Sequence, residues 1–246
     1  RILLMQLAAV IRRPALHAQD AKITLYSFGR LRYHAVRKGG IAVTLDALIS
    51  IPKEDIPSAG EPLDAADIGA LVKLLEEKAD APRYLALLLL ADRSERHPDV
   101  FPYWPRFVAK LSNENSYQRS IGILLLAANA RWTEASELDE CLPLCLRLIG
   151  DEKPVTARQA ISSLAEMARS QPSCAMPVVR ALAEHDVFSV RESMRKSILL
   201  DICRALLKLR RLPGVRSIAD SRLTDALSGE ILDKASKKEI RGAMEA

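Results

Sequence analysis

The sequence predicts an all-α protein built as a right-handed stack of helical hairpins, and three observations carry that prediction. One unit is written at least twice: residues 107–126 and 145–164 each run as a short apolar helix, a polar turn, an Arg and a longer apolar helix. The arginines that open the longer helices, Arg83, Arg119, Arg158 and Arg195, recur at spacings of 36, 39 and 37 residues. Composition agrees, because 49% of the 246 residues are hydrophobic but only 4% are aromatic, which suits packed amphipathic helices better than a β-sandwich. A hairpin of short helices cannot bury its own apolar face, so a period near 40 means neighbours stacking into one continuous core.

Residues 1–60 form an irregular, mainly helical N-terminal segment in this reading. Residues 2–11 are an apolar helix closed by Arg12, Arg13 and Pro14. Residues 20–36 admit two assignments. Leu25, Phe28 and Val36 fall at helical spacing, with Lys38-Gly39-Gly40 as the stop; Ile23 to Phe28 followed by Gly29 also suits a strand of a hairpin. The helix is preferred. Residues 41–51 are a further short apolar segment, and 51–62 is a loop carrying three prolines and a Gly.

Four hairpins then occupy 64–212. Asp64 caps a helix over 64–78 with Ile68, Leu71, Val72 and Leu75 on one stripe. Pro82 takes the first position of the next helix, which passes Tyr84, Leu87, Leu88 and Ala91 and ends at His97-Pro98. The second pair spans 100–111 and 116–131, with Pro105 a possible kink. The third spans 138–149 and 154–169, and the fourth 174–184 and 190 or 193 to 209. Asp80, Asn115, Asp151 and Asp186 precede the four arginines; they cap helix starts, and each Arg reaches a neighbouring turn, giving a ladder between units. Leu212-Pro213-Gly214 breaks the pattern, and 213–246 reads as a capping segment of one or two weak helices.

Several function classes fall away. The longest apolar run, 85–91, is far short of the roughly 20 residues that cross a bilayer. Residues 1–13 lack the charged region and cleavage site of a signal segment, so the cytoplasm is the expected compartment. The missing initiator Met points to a fragment or a trimmed chain. The net charge of +5 is uneven: Lys and Arg exceed Asp and Glu by 9 to 4 over 1–60 and 13 to 8 over 190–246, but trail 14 to 19 between. A strand of phosphates would want the reverse in the middle units.

Cys141 and Cys145, four apart, share one helix face and read either as core residues, the preferred assignment, or as half a metal site; Cys174 and Cys203 stand apart. No P-loop, G-x-G-x-x-G, H-E-x-x-H or G-x-S-x-G occurs, and His17, His34, His97 and His185 are scattered, so no cofactor, no metal and no catalytic group is expected.

The Arg spacing, the Asp-turn-Arg arrangement and the Pro-bearing turns of 64–212 resemble the HEAT/Armadillo class of α-solenoids. Residues 111–132, 151–161 and 192–202 also look like a family of small bacterial HEAT-like proteins, some labelled SufBD-type. That label implies iron–sulfur metabolism, for which the chain offers no clustered thiolates. The class implies a concave surface whose residues carry the function. The expectation is therefore a non-catalytic scaffold presenting its inner row of second helices to a protein or peptide, through Tyr117, Gln118, Arg158, Gln159 and Arg195.

Two other classes stay open. One is nucleic-acid binding, as in HEAT-like DNA alkylation-repair glycosylases, with Trp104, Trp132, Arg131 or the basic run Arg204, Lys208 and Arg211 as its surface. The other is an accessory subunit in metal or iron–sulfur metabolism, through Cys141 and Cys145.

Overall fold

The computed structural model describes residues 56–245, all of whose regular structure is helical. The readings of 2–11, 20–36 and 41–51 lie outside those residues. The helices are α1 (Ile56–Gly60), α2 (Ala65–Leu74), α3 (Asp80–Arg96), α4 (Trp104–Lys110), α5 (Ser116–Asn129), α6 (Ala135–Arg147), α7 (Pro154–Ser170), α8 (Ala175–Glu184), α9 (Glu192–Leu209), α10 (Arg216–Ser228) and α11 (Lys234–Glu245). They form the hairpins α2/α3, α4/α5, α6/α7, α8/α9 and α10/α11, the last built from 213–246.

Local chemistry sets the helix ends. Asp64 accepts from the amides of Ala66 and Asp67, both at 2.9 Å, and Asp67 returns a bond to the Asp64 amide, so α2 starts on a reciprocal cap. Asn115 accepts from the Tyr117 amide at 3.0 Å and starts α5. The helix expected over 100–111 is two pieces, a 3-10 turn Pro98–Tyr103 followed by α4. Pro98, Pro102 and Pro105 each remove an amide donor there, so a continuous α-helix cannot form. Similarly α2 stops at Leu74 rather than reaching Lys78, and α3 begins at Asp80, two residues before Pro82. Gly214 adopts φ +78, the left-handed conformation that breaks the chain direction between α9 and α10.

The second helices α3, α5, α7, α9 and α11 pack on one another in succession, whereas close packing between successive first helices is confined to α8 and α10. The second helices thus form a continuous layer from α3 to α9, with the first helices packed beside it. Every residue from Ser120 to Ala130 is buried, with α3 and α7 on either side and α4 behind. Gly122 is where α4 comes closest: an added Cβ would sit 2.8 Å from the Phe107 carbonyl oxygen and 2.9 Å from Lys110 Cβ.

Hydrogen bonds record the repeat. Among the described residues the non-local side-chain bonds span between 32 and 43 residues, one hairpin to the next and no further. Asn129 donates to Ser94 Oγ at 2.9 Å, Ser120 meets Thr156 at 3.0 Å, and Gln171 donates to the Thr133 carbonyl at 2.8 Å. The expected arginine ladder takes three forms. Arg119 ties the Asn113 and Glu114 carbonyls of its own turn, both at 2.9 Å, to the Asp151 carboxylate of the next turn, at 2.6 and 2.8 Å. Arg83 and Arg195 hold carbonyls of their own turns, those of Glu77 (2.8 Å) and Val190 (3.4 Å). Arg158 instead reaches Asp201 on α9 at 2.5 Å.

Two substitutions test this packing. Gly122→Ala forces α4 off α5, and the expected cost is about 1–3 kcal/mol despite alanine's better helix propensity, read from urea melts. Arg119→Leu removes the two guanidinium bonds to the Asp151 side chain, 4% exposed, and leaves it the Lys153 amide; the expected loss is about 1.5–3 kcal/mol, with partial recovery when Asp151→Asn is added.

Candidate interaction surface

Because the middle of α5 is enclosed, the chain is exposed there only before it, at Tyr117 in its first turn, and after it, at Arg131 in the turn that follows. The second layer therefore has two working edges. At the edge formed by the N-terminal ends of the second helices lie the exposed large hydrophobics of the described residues: Tyr117 at 50%, Val155 at 50% and Phe188 at 63%. They belong to successive units. The bond from Thr156 to the Ser116 carbonyl, 3.2 Å, ties the start of α7 to the start of α5. A cleft of about 170 Å³ lined by Pro154, Ser189 and Val190 lies between the start of α7 and the turn that carries Phe188. Arginines stiffen the row: Arg83 lies over the Tyr117 ring at 5.3 Å and Arg195 over the Phe188 ring at 5.2 Å.

The five residues expected on the inner face divide accordingly. Tyr117 is exposed, and Arg158 and Arg195 are half-buried. Gln118 and Gln159, at 6% and 7% exposure, lie beneath the surface and present little to a partner. The reason is register: one residue further along the helix turns the side chain by about 100° into the layer. Gln118 donates to the Leu75 carbonyl at 2.8 Å and accepts from the buried Lys110, which also pairs with Glu76. The apolar residues Val155 and Phe188 were absent from the sequence expectation; Val155 lies in the first turn of α7 and Phe188 in the polar turn before α9, where hydropathy periodicity carries little signal.

At the opposite edge the second helices end on cations. Arg131, Glu166, Arg169 and Ser170 line a cleft of about 330 Å³. Arg131 donates to the Glu95 carbonyl at 2.8 Å, while Glu166 accepts from Arg169 at 2.8 Å and from Lys208 at 2.9 Å. The basic run is thus largely neutralised: Lys208 pairs with Glu166, Arg204 with Glu239 at 2.7 and 2.9 Å, and Arg211 is exposed.

The tryptophans are structural. Trp104 is 5% exposed and stacks near Phe101, and Trp132 donates its indole N–H to the Ser94 carbonyl at 2.7 Å. The four cysteines are free and buried. The thiol contact between Cys141 and Cys145 holds Cys141 below the usual thiol range and drives Cys145 above it; burial pushes Cys174 and Cys203 up to about 11. Among the described residues no group of three or more His, Cys, Asp or Glu is placed to hold a metal ion, and no helix is long and apolar enough to cross a membrane.

No protein-family model matches the chain, and no curated protein does. Solved structures do. The designed armadillo repeat protein YIII(Dq)4CqI is 15% identical over 82% of this chain and 89% of that one, with a TM-score of 0.52. A second, YIII(Dq.V1)4CPAF in complex with the peptide (KR)4, is 13% identical over 82% and 89%, with a TM-score of 0.51. An engineered protein is 17% identical over 82% and 86%, with a TM-score of 0.50. At these identities the likeness is one of fold, and it agrees with the packing: the chain is an all-α helical repeat solenoid of the armadillo/HEAT kind.

The last hairpin carries a pH dependence. Arg210 holds the Asp220 carboxyl below its usual range, Lys196 does so for Asp233, and Arg204 for Glu239. A depressed carboxylate stabilises the fold above its unfolded value, about 4, and the contribution is lost as pH falls through the folded value. Hydrogen exchange at pH 3 is therefore expected to show α10 and α11 opening before α5 and α7, with the order disappearing at pH 6.

Proposed function

We propose that this protein is a non-catalytic interaction scaffold, which holds an extended peptide or protein segment along its second-helix layer. The observation that carries this reading is the row Tyr117, Val155 and Phe188. Exposed apolar side chains recur in three successive units, as contacts to an extended segment crossing those units would, and two of the three are aromatic, the type that anchors interfaces. Arg83 and Arg195 hold the two rings in place, so little side-chain freedom is lost on binding. The designed neighbour solved with the peptide (KR)4 supports peptide binding by a solenoid of this kind. On this reading Arg158 and Arg195 flank the row and supply polar contacts. The narrower resemblance adds a bacterial cytoplasm as the place of action.

Nucleic-acid binding has less behind it, since Trp104 and Trp132 are committed to packing and Arg204 and Lys208 to ion pairs. Peptides selected from a displayed random library give the test. Tyr117→Ala and Phe188→Ala are each expected to weaken a selected peptide about tenfold or more, the scale of an interface anchor, without changing the melting temperature. Glu140→Ala, exposed on the first helix α6, is expected to leave binding unchanged. Selected peptides that ignore both aromatic substitutions, or a library that yields no binder, would remove this reading.

A further inference from the structure

The C-terminal edge of the second layer has more positive charge than its own structure uses. Arg131, in the turn that follows α5, caps the Glu95 carbonyl and pairs with no carboxylate among the described residues. Arg169, in the last turn of α7, and Lys208, in the last turn of α9, share the single carboxylate of Glu166. The plain account of such cations is that they offset the negative ends of helix dipoles. Magnitudes limit that account. Three full charges face one carboxylate and the ends of α5, α7 and α9, each worth about half a negative charge, so about half a positive charge is left over. The surplus faces a cleft of about 330 Å³ lined by Arg131, Glu166, Arg169 and Ser170.

We propose that this cleft is a subsite for a carboxylate side chain, and that the segment held along the second layer is acidic. The inference rests on the scaffold reading and names the chemistry of its partner. Arg131 and Arg169 donate to the incoming carboxylate, and the Ser170 hydroxyl is placed to add a bond. Glu166 is the internal counter-ion that holds Arg169 and Lys208 in position while the site is empty of partner. A nucleic-acid strand fits the layer less well. Its phosphates follow one another closely, whereas the cations here are interrupted by the carboxylates of Glu166, Asp201 and Glu239 on α7, α9 and α11. A peptide can place one Glu or Asp in the cleft and keep neutral side chains opposite those carboxylates. The charge sense is opposite to that of the (KR)4 ligand of the designed neighbour.

The test uses the whole chain and three labelled probes: an octapeptide of alternating Asp and Glu, its Lys–Arg counterpart, and a short oligothymidylate. The acidic peptide is expected to bind, with an affinity that falls as salt rises. Arg169→Glu, at an exposed residue that pairs with Glu166, is expected to weaken it about tenfold or more. Glu166→Gln is expected to strengthen it severalfold, because the competing internal carboxylate is gone. A merely structural Glu166 would give no gain, so that variant separates a binding role from a folding defect. Absence of acidic-peptide binding, indifference to Arg169→Glu, or no gain from Glu166→Gln overturns the inference. Oligothymidylate binding as tightly as the acidic peptide overturns it in favour of nucleic acid. If only the basic peptide binds, and Tyr117→Ala and Phe188→Ala weaken it, the scaffold reading stands and the acidic-partner inference fails. If neither peptide binds and the library also yields none, both fail.

Discussion

The structure depends on second helices that are buried by their neighbours rather than by their own hairpins. α5 shows this most clearly, since α3, α4 and α7 together bury everything from Ser120 to Ala130. Removing any one of those neighbours would open a strip of Ile, Leu and Ala to water, at about 25 cal/mol for each Å² of apolar surface exposed. Stability in such an array is a sum of weak units and strong junctions. The polar contacts obey the same rule, because the ties from Asn129 to Ser94, Ser120 to Thr156 and Arg158 to Asp201 all join adjacent units.

Buried polar side chains fix how those junctions register. A helix face of Leu and Ala alone can slide along another with little penalty. The Arg119–Asp151 pair cannot, because a displaced carboxylate would keep its desolvation cost and lose two charge-assisted bonds. Lys110, Gln118 and the Leu75 carbonyl do the same for the preceding junction. Arginine positions at the hairpin turns therefore serve spacing first, and the two edges of the layer inherit their regularity from it. The aromatic row and the cationic cleft lie at opposite ends of the same second helices, α5 and α7, so a partner lying obliquely across the layer meets both.

Much of this was legible in the sequence. A period of 36 to 39 residues, the cap at Asp64 and the helix start at Pro154 are local signals, and the hairpins of 64–212 follow from them. Boundaries near the prolines were less legible, because proline tells where an amide is missing but not whether the chain responds with a 3-10 turn. The surface was least legible. Arg158 and Gln159 are adjacent in sequence, yet one is half-buried at the edge and the other 7% exposed within the layer. That distinction depends on which neighbour flanks each side, which no single helix encodes. Likewise Arg204 and Lys208 read as a free basic stripe until Glu239 and Glu166, 35 and 42 residues away, are brought opposite them.

The final helix has a consequence of its own. α11 buries Ser236 and Ile240 against the stack and leaves Lys238, Arg241 and Gly242 in water. Another rung laid on that side, from this molecule or from a second copy, would have to strip hydration from lysine and arginine heads with no carboxylate waiting for them. Any element that packs on that face therefore has to bring carboxylates of its own.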